Sequence, residues 1–288
     1  MLSPKLSVIL CTRNRGCYLL NTLKTYENIS TTLSWELIIV DNASTDETRQ
    51  ILNKFASNTD ICVHVISEPK VGLSRARNAG WQYAKSEVII FSDDDCYPQS
   101  DFIDAIWSNF TENWVDYIGG RILLYDPKDF PITIQLREDR YDLPPGSFIE
   151  SGLIQGANMA FRRKVLLRVG GFDEFLGAGT NLPGSDDTDI INRASAVGFW
   201  GAYDPRPVVF HHHRRQTQEQ VATLMRSYDI GRGAYYMKAT LDKTRRSQVS
   251  RQWYWRTVIP ALRSRRGAQK LFYEMMGAIR YLICQVRN

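Results

Sequence analysis

Leu6-Ser7-Val8-Ile9-Leu10-Cys11-Thr12 is apolar on almost every residue and runs straight into Arg13-Asn14-Arg15. A run that does not alternate apolar with polar residues suits a strand covered on both faces. Similar runs recur at Trp35–Val40, Ile61–Ile66 and Val88–Ser92. Segments of helical length lie between them, at about 18–29, 45–56 and 73–84. This alternation predicts an α/β fold: a mostly parallel sheet flanked by helices.

The next stretch reads differently. A strand is expected over 117–125, and a loop or cover over 126–148, which is rich in Pro, Asp and Arg. A helix is expected over 163–169, a turn at 183–189 running into a helix at 188–197, and a short strand at 208–210. From 216 onward the pattern is helical and basic.

With 288 residues, 43% hydrophobic and 23% charged, the chain is globular and long enough for one large domain or a domain with an appendage. Five scattered cysteines without a CxxC pair suggest neither a disulfide framework nor a zinc cluster, which points to a reducing compartment. Neither a secretory signal nor an apolar run long enough to span a bilayer is present, so a cytoplasmic location is expected. Charge is unevenly spread. Residues 1–213 carry 20 Lys and Arg against 27 Asp and Glu, a net −7, whereas 214–288 carry 16 against 4, a net +12. An acidic body argues against nucleic acid as a partner, and a basic tail expects something anionic.

Ligands of open α/β sheets sit beyond the carboxyl ends of the strands. Three such ends are polar here: Thr12-Arg13-Asn14-Arg15, Asp41-Asn42-Ala43-Ser44-Thr45-Asp46 and Ser92-Asp93-Asp94-Asp95. Alternate residues past a strand point the same way, so Asp93 and Asp95 could converge on one hard cation together with phosphate oxygens. An acidic turn is the plainer reading. Asp41 has its own plain reading as part of a capped turn. Gly72 to Gly80, with Arg75 and Arg77, opens a helix suited to a diphosphate, or else exposes a solvated arginine face. Asp186, Asp187 and Asp189 stand at a helix start, as dipole-favoured caps or as a source of general base. His211 and His213 share a strand face, and imidazole is a good metal ligand.

In this order the motifs resemble family-2 glycosyltransferases of the GT-A fold. The matching pieces are Ser7 to Asn14, Val40 to Asp46, Gly72 to Gly80, Phe91 to Asp95, Gln155 to Phe161, Gly170 to Glu174 and Asp186 to Asp189. The resemblance covers about residues 5–215. It implies a catalytic domain over 1–215, with a nucleotide-sugar half up to about 100 and an acceptor half beyond, and a helical basic extension over 216–288. It implies nucleotide-sugar contacts at Thr12, Arg13, Asp41, Arg77, Asn78, Asp93 and Asp94. Gly156, Ala157 and Asn158 would form the loop under donor sugar and acceptor. Asp93, Asp95 and His211 would hold Mn²⁺ or Mg²⁺. Asp187 would be the catalytic base, paired with Asp186 where the family usually has glutamate.

The reaction so implied is an inverting transfer from a nucleoside-diphosphate sugar, a UDP-sugar favoured, to a glycan or lipid-linked acceptor. Envelope polysaccharide or glycolipid synthesis is the natural setting. A nucleotidyltransferase making sugar nucleotides is one rival, although its glycine-rich loop would be reduced here to Thr12-Arg13-Asn14-Arg15-Gly16. A non-catalytic sugar-nucleotide-binding module is another. In the tail, Leu271, Phe272, Met275, Met276, Ile279, Leu282 and Ile283 recur near helical spacing after Arg263-Ser264-Arg265-Arg266. Such a helix could lie at the cytoplasmic face of an anionic membrane or pack on the catalytic body.

Overall fold

A computed structural model describes residues 3–286 of the chain. The first part runs β1 (Leu6–Thr12), α1 (Gly16–Glu27), β2 (Trp35–Asn42), α2 (Thr48–Asn58), β3 (Val63–Glu68), α3 (Leu73–Tyr83) and β4 (Val88–Asp93). Then follow β5 (Cys96–Pro98), α4 (Phe102–Glu112), β6 (Tyr117–Leu124), β7 (Tyr141–Leu143), β8 (Asn158–Arg162) and α5 (Arg163–Val169). The last part is α6 (Asp186–Ala196), β9 (Gly201–His211), α7 (Gln218–Leu241), α8 (Arg246–Trp253), a π-helical turn at Tyr254–Val258, α9 (Ile259–Ala261) and α10 (Arg265–Val286).

The strands join in one sheet, ordered β3-β2-β1-β4-β8-β6-β9-β5, with β7 on β9. The β3-β2-β1-β4 pairs are parallel, as the buried runs predicted. All seven residues of β1 are buried because helices cover both faces. One apolar cluster under α1, α2 and α4 holds Leu6, Val8 and Leu10; its opposite number holds Ile9, Ile38 and Phe91. Gly80 lets α3 lie close on the sheet, since a Cβ there would stand 2.4 Å from Ile9 Cγ2. The α/β sheet flanked by helices that the sequence predicts is the one present.

Some elements depart from the expectation. β8 occupies residues for which no strand is expected, its first, Asn158, being placed in the donor-sugar loop by the resemblance, and it runs antiparallel between β4 and β6. α4 was not expected, β9 begins seven residues before the strand read at 208–210, and the expected cover contains β7. α7 starts from a capping box formed by Thr217 and Gln220. It and α10 approach to backbone contact, because a Cβ on Gly233 would lie 1.8 Å from the Glu274 carbonyl oxygen and one on Gly277 1.9 Å from that of Ile230. α10 therefore packs one face on α7.

Candidate active site

β1, β2 and β4 end level with one another, Thr12 pairing with Asp41 and Cys11 with Asp93. Their polar ends share one rim, where a cavity of about 1410 Å³ opens. Thr12, Arg13, Arg77, Asp93, Asp94 and Asp95 all line it. The Thr12 hydroxyl is buried there without a hydrogen-bond partner among the described residues.

The chain turns at Asp94-Asp95 and does not continue extended, so the three aspartates diverge. Asp93 pairs with Arg77 at 2.9 Å. Arg15 reaches Asp94 with Nε at 3.1 Å and Asp95 with a terminal nitrogen at 3.2 Å. His211 Nε2 stands 3.3 Å from Asp95 Oδ1. Each carboxyl responds to its own setting. Burial and the Asp95 charge push Asp94 up to about 7, against Arg15. Burial also raises Asp95, but the His211 hydrogen bond and charge, with Arg15 and Arg215, overcome it and hold Asp95 at about 2. Asp93 is raised by burial, partly offset by Arg77.

These residues fit a hard divalent cation. Asp95 and His211 bring their ligand atoms within 4.8 Å of one another at the cavity wall and leave positions for diphosphate oxygens, as Mn²⁺ or Mg²⁺ requires, while the expected third ligand, Asp93, points apart from them and is paired with Arg77. His211 Nδ1 lies 3.1 Å from the Thr133 carbonyl oxygen and donates to it, which fixes the ring with Nε2 facing Asp95; a cation between the two would take the place of the Nε2 proton. The neighbouring imidazoles are otherwise engaged: His212 meets the Tyr97 hydroxyl, while His213 meets the Phe130 carbonyl and the Arg215 amide. Cys96 lies within 4.8 Å of Asp95 and His211, a soft thiol beside two harder donors, and burial raises its thiol well above the usual range.

Across the cavity, Gly184 (φ +97°) and Ser185 (φ +62°) bend the chain sharply into α6. The three acids of its first turn then meet three fates. Asp186 is buried and paired with Arg77 at 2.5 Å. Asp189 is fully buried and paired with Arg193 and Lys238, each at 2.8 Å. Asp187 lines the cavity beside Asp186 but is half-exposed and makes no ion pair among the described residues, accepting instead from the Gly156 amide at 3.1 Å and the Thr188 amide at 2.6 Å. Burial and the adjacent Asp186 charge push its pKa up, against Arg77. Arg77 thus ties the strand rim to α6 by neutralising Asp93 and Asp186 together. Gly156 is required beside it, since a Cβ would fall 2.3 Å from the guanidinium.

The sequence model described as glycosyl transferase family 2 matches residues 7–170, more than half of the chain. The chain belongs to glycosyl transferase family 2. Glycosyltransferase AglE of Haloferax volcanii is 25% identical over 173 residues, 57% of this chain and 52% of that protein. The O-antigen chain rhamnosyltransferase WbaN of Salmonella anatum is 25% identical, covering 79% of this chain and 71% of that one. The chain spans about half or less of the length of the first curated relatives it matches. Among solved structures, the mannosyltransferase PcManGT of Pyrobaculum calidifontis, in complex with GDP-Man and Mn²⁺, aligns with a TM-score of 0.66 at 16% identity, over 98% of this chain and 88% of that one. TarS 1–349 of S. aureus in complex with UDP-GlcNAc aligns with a TM-score of 0.63 at 18% identity, over 85% and 70%. At that identity the likeness is one of fold.

Not every residue that the family resemblance singled out reaches the cavity. Gly156 and Ala157 line it, whereas Asp41, Asn78 and Asn158 do not. Asp41 accepts from the Ser44 amide in the turn after β2. Asn78 accepts from the Phe172 amide and the Trp81 indole and donates to the Phe172 carbonyl, fixing α3 to the 170–172 turn. Asn158 opens β8 and donates to the Arg121 and Pro207 carbonyls between strands.

The cavity also recruits residues that were not singled out. Arg15 stands in the quoted end of β1 and Arg215 just past the histidines, but only the fold brings them to the acidic rim. The Arg215 guanidinium has no hydrogen bond or ion pair among the described residues. Tyr228 and Arg232 reach the cavity from α7, beyond the expected catalytic segment. Basic residues after 213 also turn inward: Lys238 pairs with Asp173 and Asp189, Arg232 with Asp229 and Glu274. Part of the charge asymmetry along the chain is therefore settled internally.

Proposed function

We propose that the protein is a divalent-cation-dependent, inverting glycosyltransferase that moves a sugar from a nucleoside-diphosphate donor to an acceptor hydroxyl. The observation that carries this reading is the polarised cavity: Asp95 and His211 stand as a close pair on the strand rim with Asp93 beside them, and Asp187, the carboxylate of α6 that makes no ion pair among the described residues, stands across from them. When bound, Mn²⁺ or Mg²⁺ would supply Lewis-acid stabilisation of the departing diphosphate. Asp187 takes the proton of the acceptor hydroxyl as its oxygen attacks the anomeric carbon and the bond to the diphosphate breaks. Its raised pKa makes it a stronger base than an ordinary aspartate. Asp186, bound to Arg77, positions the helix start. Thr12, Arg13, Arg15 and Arg215 would contact the donor, with Arg215 on the diphosphate.

A UDP-sugar is the favoured donor, and a glycan or lipid-linked molecule the acceptor, in envelope polysaccharide or glycolipid synthesis. The names of two relatives support this setting: an O-antigen chain rhamnosyltransferase and a glucosyl-dolichyl phosphate glucuronosyltransferase. No helix among the described residues is long and apolar enough to cross a membrane. The outer face of α10 supports peripheral contact with the cytoplasmic face of one. Opposite the face packed on α7, it exposes Phe272, Met275, Ile279, Leu282, Ile283 and Val286, with Arg263, Arg265 and Arg266 at its start. An apolar stripe with basic residues beside it suits an anionic bilayer surface.

The test is product analysis with labelled donors and Mn²⁺. The proposal expects release of nucleoside diphosphate, dependent on metal and on Asp187. Release of pyrophosphate would instead mark a nucleotidyltransferase, and binding without turnover a binding module.

A further inference from the structure

At the opposite end of β2 from the catalytic rim, three side chains of mixed chemistry meet. Cys62 lies directly across from Glu36, because Leu37 pairs with Val63 in the parallel β2–β3 ladder. His64 follows two residues on and so shares the face of Cys62. His64 Nε2 is 3.2 Å from Glu36 Oε2 and 3.6 Å from Cys62 Sγ, and the three ligand atoms all lie within 4.8 Å of one another. Zinc bonds of about 2.0 Å to oxygen and nitrogen and about 2.3 Å to sulfur, at tetrahedral angles, give edges of roughly 3.3 Å for N···O and roughly 3.5 Å for N···S. Two edges of such a site are thus already formed. The third, between Glu36 and the exposed Cys62 Sγ, lies within 4.8 Å.

The surroundings match as well. Glu36 is buried, and its other oxygen accepts from the Ser7 hydroxyl at 2.5 Å, which itself meets Ser86. His64 Nδ1 faces the Tyr83 hydroxyl at 3.4 Å. Both protein ligands are therefore held from behind, as orienting contacts of metal sites are. Burial and the Glu36 charge raise the Cys62 thiol, a penalty that a dication at this point reverses. We propose that Glu36, Cys62 and His64 form a second metal site, of the zinc class, with the exposed side open to water. It would clip the edge strand β3 to β2, about 16 Å along the strand from the catalytic rim. It is independent of the catalytic reading, because it shares no ligand with Asp93, Asp95 or His211.

The site is tested with Co²⁺ as a spectroscopic stand-in, titrated into the full chain after chelator treatment, alongside native mass spectrometry with Zn²⁺. The expected result is one equivalent of Co²⁺ giving an intense near-ultraviolet thiolate-to-metal band. That band should persist in Asp95→Asn, vanish in Cys62→Ser, be lost or saturate only at far higher metal in His64→Ala, and need roughly 10–100-fold more metal in Ser7→Ala, which removes the hydrogen bond behind Glu36. Absence of the band in the unaltered protein at saturating Co²⁺ would overturn the proposal. So would a band that survives Cys62→Ser, which would assign it to another thiol. Because Cys62 is exposed, its serine variant is expected to fold; a matching melting curve in the metal-free state checks this.

Discussion

Asp187→Asn is expected to separate chemistry from folding. In place, the carboxylate accepts two backbone N–H groups, from Gly156 and Thr188. Asparagine keeps the shape and one acceptor but turns the other into a donor, which costs about 1–3 kcal/mol. Against that, the folded-state pKa of Asp187 is raised, so its ionised form is disfavoured in the fold at neutral pH, and a neutral side chain relieves the penalty. The two effects oppose, and the melting temperature is expected to move little. Catalysis has no such compensation. Losing a general base costs roughly 10²–10⁴-fold, which is about 2.7–5.4 kcal/mol of barrier. Asp186→Asn is the contrast. It leaves the buried Arg77 with Asp93 as its remaining partner, so about 3 kcal/mol of stability is lost and melting falls by on the order of 10 °C. The assay is release of nucleoside diphosphate at saturating donor, acceptor and Mn²⁺, with melting curves of the same samples. An Asp187→Asn protein keeping more than about a tenth of wild-type kcat would refute the base assignment.

Four further outcomes follow from the same geometry. The acidic limb of the kcat/KM profile should lie above the ordinary aspartate range near pH 4, because Asp187 must be ionised to work and protonates as pH falls through its raised pKa; a pH series checks it. Arg215→Ala should weaken nucleoside diphosphate binding roughly 10–100-fold while leaving the bare nucleoside unaffected, read by calorimetry, since its guanidinium makes no hydrogen bond or ion pair among the described residues. Gly277→Ala drives a Cβ against the Ile230 carbonyl, so α10 should detach and become an early cleavage site in limited proteolysis, with at least about 1–3 kcal/mol lost from the melt. Ile279→Glu with Leu282→Glu should abolish sedimentation with phosphatidylserine vesicles but leave turnover of a water-soluble acceptor intact, since both side chains are exposed on α10.

Much of the fold was legible because parallel strands buried on both faces leave an unmistakable imprint. Leu6–Thr12 and Val88–Ser92 read as strands for the same physical reason that they are wholly buried. β8 was missed because Asn158–Arg162 is only five residues long and is set by its neighbours β4 and β6, not by its own period. α4 carries a helical imprint of its own, with buried Phe102, Ile106 and Phe110 at helical spacing. At the site, motif order brought out the acidic rim and the α6 acids. What spacing could not say was how the charges pair. That Arg77 would neutralise Asp93 and Asp186 at once, that Arg15 would hold Asp94 and Asp95, and that Asp189 would be claimed by Lys238 all depend on segments distant in sequence. The same holds for His211, which its neighbours His212 and His213 match in residue type but not in surroundings.

The central claim, a nucleoside diphosphate held through a cation on Asp93, Asp95 and His211, is tested most directly by thermal shift. The purified protein would be melted with UDP, GDP, dTDP and CMP and their sugars, each with and without Mn²⁺, because a ligand that binds only the folded state raises the midpoint by mass action. The account predicts that one nucleotide, a uridine diphosphate foremost, stabilises the protein only when Mn²⁺ is present, and that Asp95→Asn abolishes the shift. No shift with any nucleotide in either condition, or a shift indifferent to metal and to Asp95→Asn, would contradict it.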